Sequence, residues 1–383
     1  MEYKGFYLVS EPATLIKGSG AFRHIEVGRS YLSKHFSISF YPLCKVPSTK
    51  TSSSAKVKPP KEIKIGRFKR WCIDIGLWHT IKDLKILFEN HKSVVSHYKN
   101  IKARQADFIY ERSSFLNFGG LIISKWLKIP HFYENNGIKF LERKRHFKSW
   151  LNWLWEYLEK TAYRKSDYVF FIGLRGNSIH LKTKNWINIE NGVEADFLQK
   201  FVKHEKQFGT VINICFMGSL MQHHGFELLI QALAKMDTRQ FHLHLIGAKF
   251  DAIVPKLEPL VETTNHGFLN REELVETLMT MHIGVIPDGN EFVSFMKLFD
   301  YGASRCLVVA PKLKNLKYWF TEEEILFFEK GNDVSLAQAL TQALRDEDLI
   351  PNKGNKLYNK IAEKHTWDQV FQEKAAIISK FLS

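Results

Sequence analysis

A chain of 383 residues is longer than the roughly 250–300 at which a single core stops growing, so two domains are expected. Its 45% hydrophobic and 14% aromatic content supplies two ordinary cores and excludes a disordered or collagen-like chain. The net charge of +15 is lopsided: residues 1–200 hold 35 Lys+Arg against 17 Asp+Glu, and residues 201–383 hold 20 against 23. Such asymmetry points to a polyanion facing the first half, whether nucleic acid, an anionic membrane or a phosphorylated substrate.

In chain order, residues 5–10 read as a strand, followed by a glycine turn, a helix over 22–34 and a strand over 36–41. The Ser-, Pro- and Lys-rich stretch 47–66 predicts a mobile basic loop. Strands at 107–110 and 131–134 flank a helix at 118–127. Residues 140–164 read as one long helix, and 167–172 as a strand. The segment 194–209 reads as a linker, after which strands and helices alternate again from residue 210 to the end. Alternation of this kind predicts an α/β protein of two Rossmann-like domains facing across a cleft. The boundaries are 1–200, 201–364 and a last helix over 365–383.

Cys44, Cys72, Cys215 and Cys306 are too scattered for a disulfide framework or a zinc site, which fits a reducing cytoplasm. The N-terminal apolar run is too short for a signal peptide, with Glu11 and Pro12 directly behind it. No stretch reaches the ~20 apolar residues of a bilayer span. The expected location is cytoplasmic, or peripheral on the inner face of the membrane.

In doubly wound sheets ligands bind beyond the carboxyl ends of strands. Four such places carry suitable residues. Gly18-Ser19-Gly20 joins the first strand to the first helix, where backbone amides can approach a phosphate. Gly218-Ser219 followed by His224-Gly225 links a later strand to its helix, with Ser219 as a donor and His224 as a partner for a diphosphate. Asp288 to Gly302 brings Glu291 before a helix that starts near Phe295. There the free amides of Phe295, Met296 and Leu298, together with Lys297, can hold a diphosphate, and Asp300 can accept from ribose hydroxyls. Asn191-Gly192 makes a tight turn, with Glu194 and Phe197 behind it.

Taken together, these segments resemble glycosyltransferase family 4, the retaining nucleotide-sugar transferases of GT-B architecture. Gly18-Ser19-Gly20 with Arg23 and His24 is similar to the family's N-terminal glycine turn. Tyr110-Glu111-Arg112-Ser113, Ile129-Pro130 and Glu134-Asn135-Asn136-Gly137 resemble a pattern of its polysaccharide-building members. Asn191-Gly192-Val193-Glu194 with Phe197 resembles "NGVD…F", and Gly218 through His224-Gly225 resembles "G-[RS]-L…[KH]-G". Gly267-Phe268 with Glu272-Glu273-Leu274 is similar to the segment that contacts the base. The run Ser294 to Tyr301 resembles "SPMKLFEY", and His365-Thr366-Trp367 resembles "fsW", after which the last helix returns to the first domain. The sequence departs from the family at Phe292, where the first of two glutamates is expected. Glu291, Asp288 or backbone amides alone take its place. Ser219 and His224 stand where Arg and Lys are frequent.

The resemblance implies transfer of a sugar from a UDP- or GDP-linked donor to a hydroxyl of a lipid-linked sugar or a growing surface polysaccharide. It implies retention of configuration, with Lys297, His224 and Glu291 as catalytic residues. Gly18, Ser19, Gly20, Ser219, Gly225, Gly267, Phe268, Phe295, Met296, Leu298 and Asp300 would bind the donor. Glu111, Arg112, Glu134 and Asn135 would lie on the acceptor side. Neither a metal nor a resident cofactor is expected. The aromatic-basic segment 140–164 has two readings: Trp150, Trp153 and Trp155 pack into the core, which helical amphipathicity favours, or they lie on an anionic membrane. Two rival functions remain open: a nucleic-acid-directed transferase or binder that uses the basic half, and a non-catalytic sugar-binding scaffold.

Overall fold

Two six-stranded parallel sheets, each wrapped by helices, account for the alternating pattern. A computed structural model describes residues 3–16, 19–42, 67–176, 179, 185–220, 224–248, 250–346 and 348–383. The predicted basic loop 47–66, Gly18 and residues 221–223 lie outside the described residues. The chain divides into one unit of Met1–Asn188 with Lys374–Ser383, and another of Ile189–Glu373.

The first unit contains β1 (Lys4–Val9), α1 (Gly20–Leu32), β2 (Ser37–Pro42), α2 (Arg67–Asp74), α3 (Leu77–Ala103), β3 (Phe108–Arg112), α4 (Gly119–Leu127), β4 (His131–Asn135), α5 (Lys139–His146), α6 (Asn152–Lys165), β5 (Tyr168–Ile172) and β6 (Trp186–Ile189). Its strand order is β2-β1-β3-β4-β5-β6. Strands β3 and β4 are buried on both faces, as parallel strands between helical layers must be.

The second unit contains α7 (Ala195–Gln199), β7 (Ile212–Ser219), α8 (Phe226–Leu233), β8 (Phe241–Ala248), α9 (Val254–Leu257), β9 (Thr263–Gly267), α10 (Arg271–Met279), β10 (Ile283–Val285), α11 (Met296–Ala303), β11 (Leu307–Pro311), α12 (Lys314–Trp319), β12 (Ile325–Phe328), α13 (Asp333–Arg345) and α14 (Leu349–Lys364). The last helix, α15 (Trp367–Leu382), begins in this unit, and its residues from Lys374 onward belong to the first. The strand order β12-β11-β10-β7-β8-β9 reverses direction between β7 and β10. Alternation along β7 sends Ile214 and Phe216 into one core layer and Cys215 and Met217 into the other.

Three sequence expectations change. The segment 194–209 is not a linker: Phe197, Leu198 and Phe201 are buried in the second unit's core, and the division falls after Asn188 instead of at residue 200. The helix expected over 140–164 breaks between α5 and α6, because residues in the break bond to α3 instead of continuing the helical ladder. There the Trp150 amide donates to Thr80 Oγ1 at 2.9 Å, and Ser149 Oγ lies 3.3 Å from the same hydroxyl. The break also resets the helical phase. Trp155 is buried, whereas Trp150 and Trp153 are exposed, contrary to core packing for all three. Among the described residues, no helix is long and apolar enough to cross a membrane.

Candidate functional site

The point where strand order reverses in the second unit collects half of the predicted residues, including all three expected to be catalytic. Beyond β7 lie Gly218, Ser219, His224 and Gly225, and beyond β10 lies the loop that leads to α11. Gly225 has φ +68°, and a Cβ there would come within 2.6 Å of Asp288 Cβ, so only glycine lets the two loops touch. A Cβ on Gly218 would stand 2.9 Å from His224 Nδ1 and 3.3 Å from Lys297 Nζ, which puts the two nitrogens within about 6 Å of each other.

Both side chains have a defined seat. The Ser219 amide donates to His224 Nδ1 at 2.9 Å, and the Ser219 carbonyl oxygen lies 3.1 Å from the same nitrogen, so the imidazole is held against the end of β7. Lys297 lies in the first turn of α11, its Nζ 5.2 Å from the centre of the Phe216 ring. No carboxylate pairs with it among the described residues, and burial pushes its pKa down to about 8. Helix α11 is fixed by Tyr301. The Tyr301 ring lies flat against Gly284, its hydroxyl donates to Cys215 O at 3.1 Å, and it accepts from the Met217 amide at 2.7 Å. Among the described residues neither α8 nor α11 has a side-chain cap at its N-terminus, so both helices direct uncapped amides and positive dipole ends beyond the sheet. Two such ends with a lysine and a histidine make a seat for a polyanion.

The remaining donor-side residues divide. Met296 is half-buried at the start of α11, and Phe295 is the N-cap residue, its ring against Gly289. Leu298 is a core residue, and its amide is already bonded to Phe295 O. Glu291 is half-buried, 3.9 Å from Lys314 Nζ, and Phe292 donates its amide to Asn290 Oδ1. Gly267 has φ +65° and open space around it, and Phe268 beyond it is 63% exposed at the end of β9. Ser19 and Gly20 belong to the first unit. There the Ser19 hydroxyl caps α1 by accepting from the Phe22 amide at 3.1 Å.

Asp300 departs from its expected role. It is buried and accepts from Arg271 Nη1 at 2.7 Å, while Arg271 Nη2 donates to Glu194 Oε2 at 2.6 Å. The guanidinium lies 3.4 Å from the Phe197 ring centre. One arginine thus ties three of the recognised segments together, and nothing in its sequence neighbourhood marks it except the capping box that opens α10. Because Arg271 is 32% exposed, solvent screens part of its ion pairs. Replacing it with glutamine is expected to cost about 2 kcal/mol in urea unfolding. A loss below about 0.5 kcal/mol would show that the pairs are not structural. Asn191-Gly192-Val193 meets the His365–Trp367 segment. The Val193 amide donates to His365 O and the Trp367 amide to Val193 O, both at 3.0 Å, and a Cβ on Gly192 would lie 2.9 Å from His365 O.

The four acceptor-side residues of the first unit are interior groups, with Glu134 fully buried. Glu111 accepts from the Gly120 and Leu121 amides at the start of α4 and from His131 Nε2 at 2.9 Å. Arg112 Nη1 donates to His24 Nδ1 at 2.7 Å and to Glu134 Oε1 at 2.9 Å. Lys374 Nζ donates to Glu134 Oε2 at 2.8 Å, and the Tyr110 hydroxyl donates to the same oxygen. Asn135 Nδ2 donates to the Tyr163 hydroxyl at 3.0 Å, and its Oδ1 lies 3.2 Å from Ser113 Oγ. Burial would raise the Glu134 pKa, but Lys374 and Arg112 outweigh it and hold the carboxyl well below its usual range. Desolvation keeps His24 neutral, with its pKa lowered to about 3. These residues hold the end of β4, α1 and the last turns of α15 together, which is a structural task. Among the described residues, no group of three or more His, Cys, Asp or Glu is arranged to hold a metal ion.

Residues 222–376 match a family model described as glycosyl transferase-like. No curated protein matches the chain. Among solved structures it is similar to a glycosyltransferase from Rickettsia africae (TM-score 0.69, 13% identity, covering 100% of this chain and 99% of that one). A sucrose-phosphate synthase from Thermosynechococcus elongatus gives TM-score 0.73 at 12% identity, with 99% of both chains covered. HepE of Anabaena, solved with UDP and glucose, gives 0.67 at 14%, covering 99% of this chain and 100% of that one. At such identities the shared property is the fold, and the two doubly wound sheets of this chain are those of the GT-B architecture.

Proposed function

We propose that the protein is a glycosyltransferase that moves a sugar from a nucleoside diphosphate sugar to an acceptor hydroxyl. One observation carries the reading: two uncapped helix N-termini, Lys297 and His224 converge at the strand-order reversal of the second unit. The diphosphate sits between α8 and α11, on the Lys297 ammonium and the His224 imidazole. Strand β9 lies two strands from β7, about 10 Å away, which suits a base stacked on the exposed Phe268 ring while the diphosphate occupies the β7/β10 end. The glycosyl transferase-like match over residues 222–376 and the UDP-glucose found in HepE support a uridine diphosphate donor.

The chemistry follows family 4, with retention. The bond from the anomeric carbon to the diphosphate breaks as the acceptor oxygen bonds the same face, and the acceptor proton passes to the departing phosphate oxygen. Negative charge grows on the diphosphate, where Lys297 and the helix ends are already placed, so stabilisation needs no reorganisation. Glu291, in the loop before α11, takes a sugar hydroxyl in place of the absent glutamate at Phe292. The acceptor is a hydroxyl of a lipid-linked sugar or a growing surface polysaccharide.

A thermal-shift screen over UDP, GDP, ADP and TDP, paired with turnover of their sugar conjugates, tests the reading. UDP is expected to raise the melting temperature, because a ligand that binds only native protein stabilises it. A panel in which no nucleotide shifts the transition and no donor releases its diphosphate would overturn it.

A further inference from the structure

Several large apolar side chains of the first unit stand in solvent around one turn. On α2, Phe68 and Trp71 are exposed one helical turn apart, with ring centres 5.9 Å from each other. On α3, Ile81, Leu84, Phe88 and Val95 recur at spacings that place them on one helix face, and all four are exposed. In the break before α6 and at its start, Trp150 and Trp153 are also exposed, Trp153 by 67%. The Trp150 indole N–H donates to Ile75 O at 2.6 Å, and a Cβ on Gly76 would lie 3.2 Å from Lys148 O, so the three segments meet at the α2–α3 turn. Folding alone does not explain an amphipathic stripe turned outward.

The outward placement is built in. Asp83, fully buried on α3, accepts from Arg143 and from Trp155 Nε1, the latter at 3.0 Å. That pin seats Trp155 inside and leaves Trp150 and Trp153 outside. Cations border the apolar residues: Arg67, Arg70, Lys82, Lys85, Lys92 and Lys148 are all exposed. On α2, α3 and residues 147–153, the only exposed acidic residues are Asp74 and Glu89.

We propose that this face of α2, α3 and residues 147–153 docks the protein on an anionic lipid surface. The aromatic and aliphatic side chains enter the headgroup boundary, and the surrounding cations meet lipid phosphates. The charge selects this occupant over a second copy of the chain, since a symmetric interface would bring the same cations against one another. The face is defined without reference to glycosyl transfer, so its test reads binding alone.

The full-length protein is mixed with phosphatidylcholine vesicles containing increasing phosphatidylglycerol, and the sedimenting fraction is measured. Binding is expected to rise with anionic lipid and to fall with salt. The double variant Trp71→Ser/Trp153→Ser is expected to bind about tenfold more weakly. Its melting temperature is expected to stay unchanged, since both side chains are exposed; the Lys82→Glu/Lys85→Glu variant provides a second readout should it drop. The proposal fails if binding ignores phosphatidylglycerol content, or if both variants bind like the parent. It also fails if the parent forms a dimer that the tryptophan variant disrupts while neither binds vesicles.

Discussion

Lys297→Ala is expected to lower sugar transfer by about 10²–10³-fold, the usual loss when a preorganised group facing developing charge is removed. Alanine removes a buried ammonium that no carboxylate pairs among the described residues, so the melting temperature should not fall while the UDP-induced shift shrinks. The pH dependence of binding follows from the lysine's lowered pKa. Burial sets it at about 8 in the free protein, and a bound diphosphate raises it. The attraction is therefore complete below pH 8 and fades as pH rises through 8 toward the bound-state value. UDP affinity measured by calorimetry should fall across pH 8–10 in the parent and lose that component in Lys297→Ala. Equal transfer rates for variant and parent would remove Lys297 from the site.

The second large effect concerns stability. Glu134→Ala leaves the Lys374 ammonium and the Arg112 guanidinium buried without their shared carboxylate. The expected cost is about 3–5 kcal/mol in urea unfolding, since breaking a buried pair strands a charge that water can no longer solvate. Lys374→Met costs less, because Arg112 still neutralises Glu134. The double variant Glu134→Leu/Lys374→Met should recover part of the loss, with Arg112 the remaining cation. A Glu134→Ala protein within about 1 kcal/mol of the parent would show that the cluster does not hold α15 in place.

The strand-to-helix loops proposed to meet the donor were legible as such because a strand, a short polar loop and a helix are consecutive in sequence. Gly218 to Gly225 and Asp288 to Gly302 both have that form, and doubly wound sheets put the ends of such units side by side. Arg271 was not legible, because its partners Glu194 and Asp300 are 77 and 29 residues away. The acceptor-side reading of Glu111 and Glu134 misjudged them for a related reason. Charged residues at a strand's carboxyl end look open in sequence, but here His131, Lys374 and the α4 amides fill the space around them.

The sequence alone determined the α/β class and the strand-to-helix loops in which the candidate site residues stand, since these follow from local periodicity and from loops next to the strands and helices they join. Tertiary packing decided which charges face solvent and which neutralise one another. It also decided which tryptophans turn outward: Thr80 and Asp83 on α3 interrupt a helix that its own residues would have continued. The basic surplus of the first half is divided by the same packing, with Arg112 held inside on Glu134 and the cations of α2 and α3 left outside beside exposed aromatic rings. Charge and hydrophobicity are properties of residues, but exposure depends on neighbours brought from distant parts of the chain.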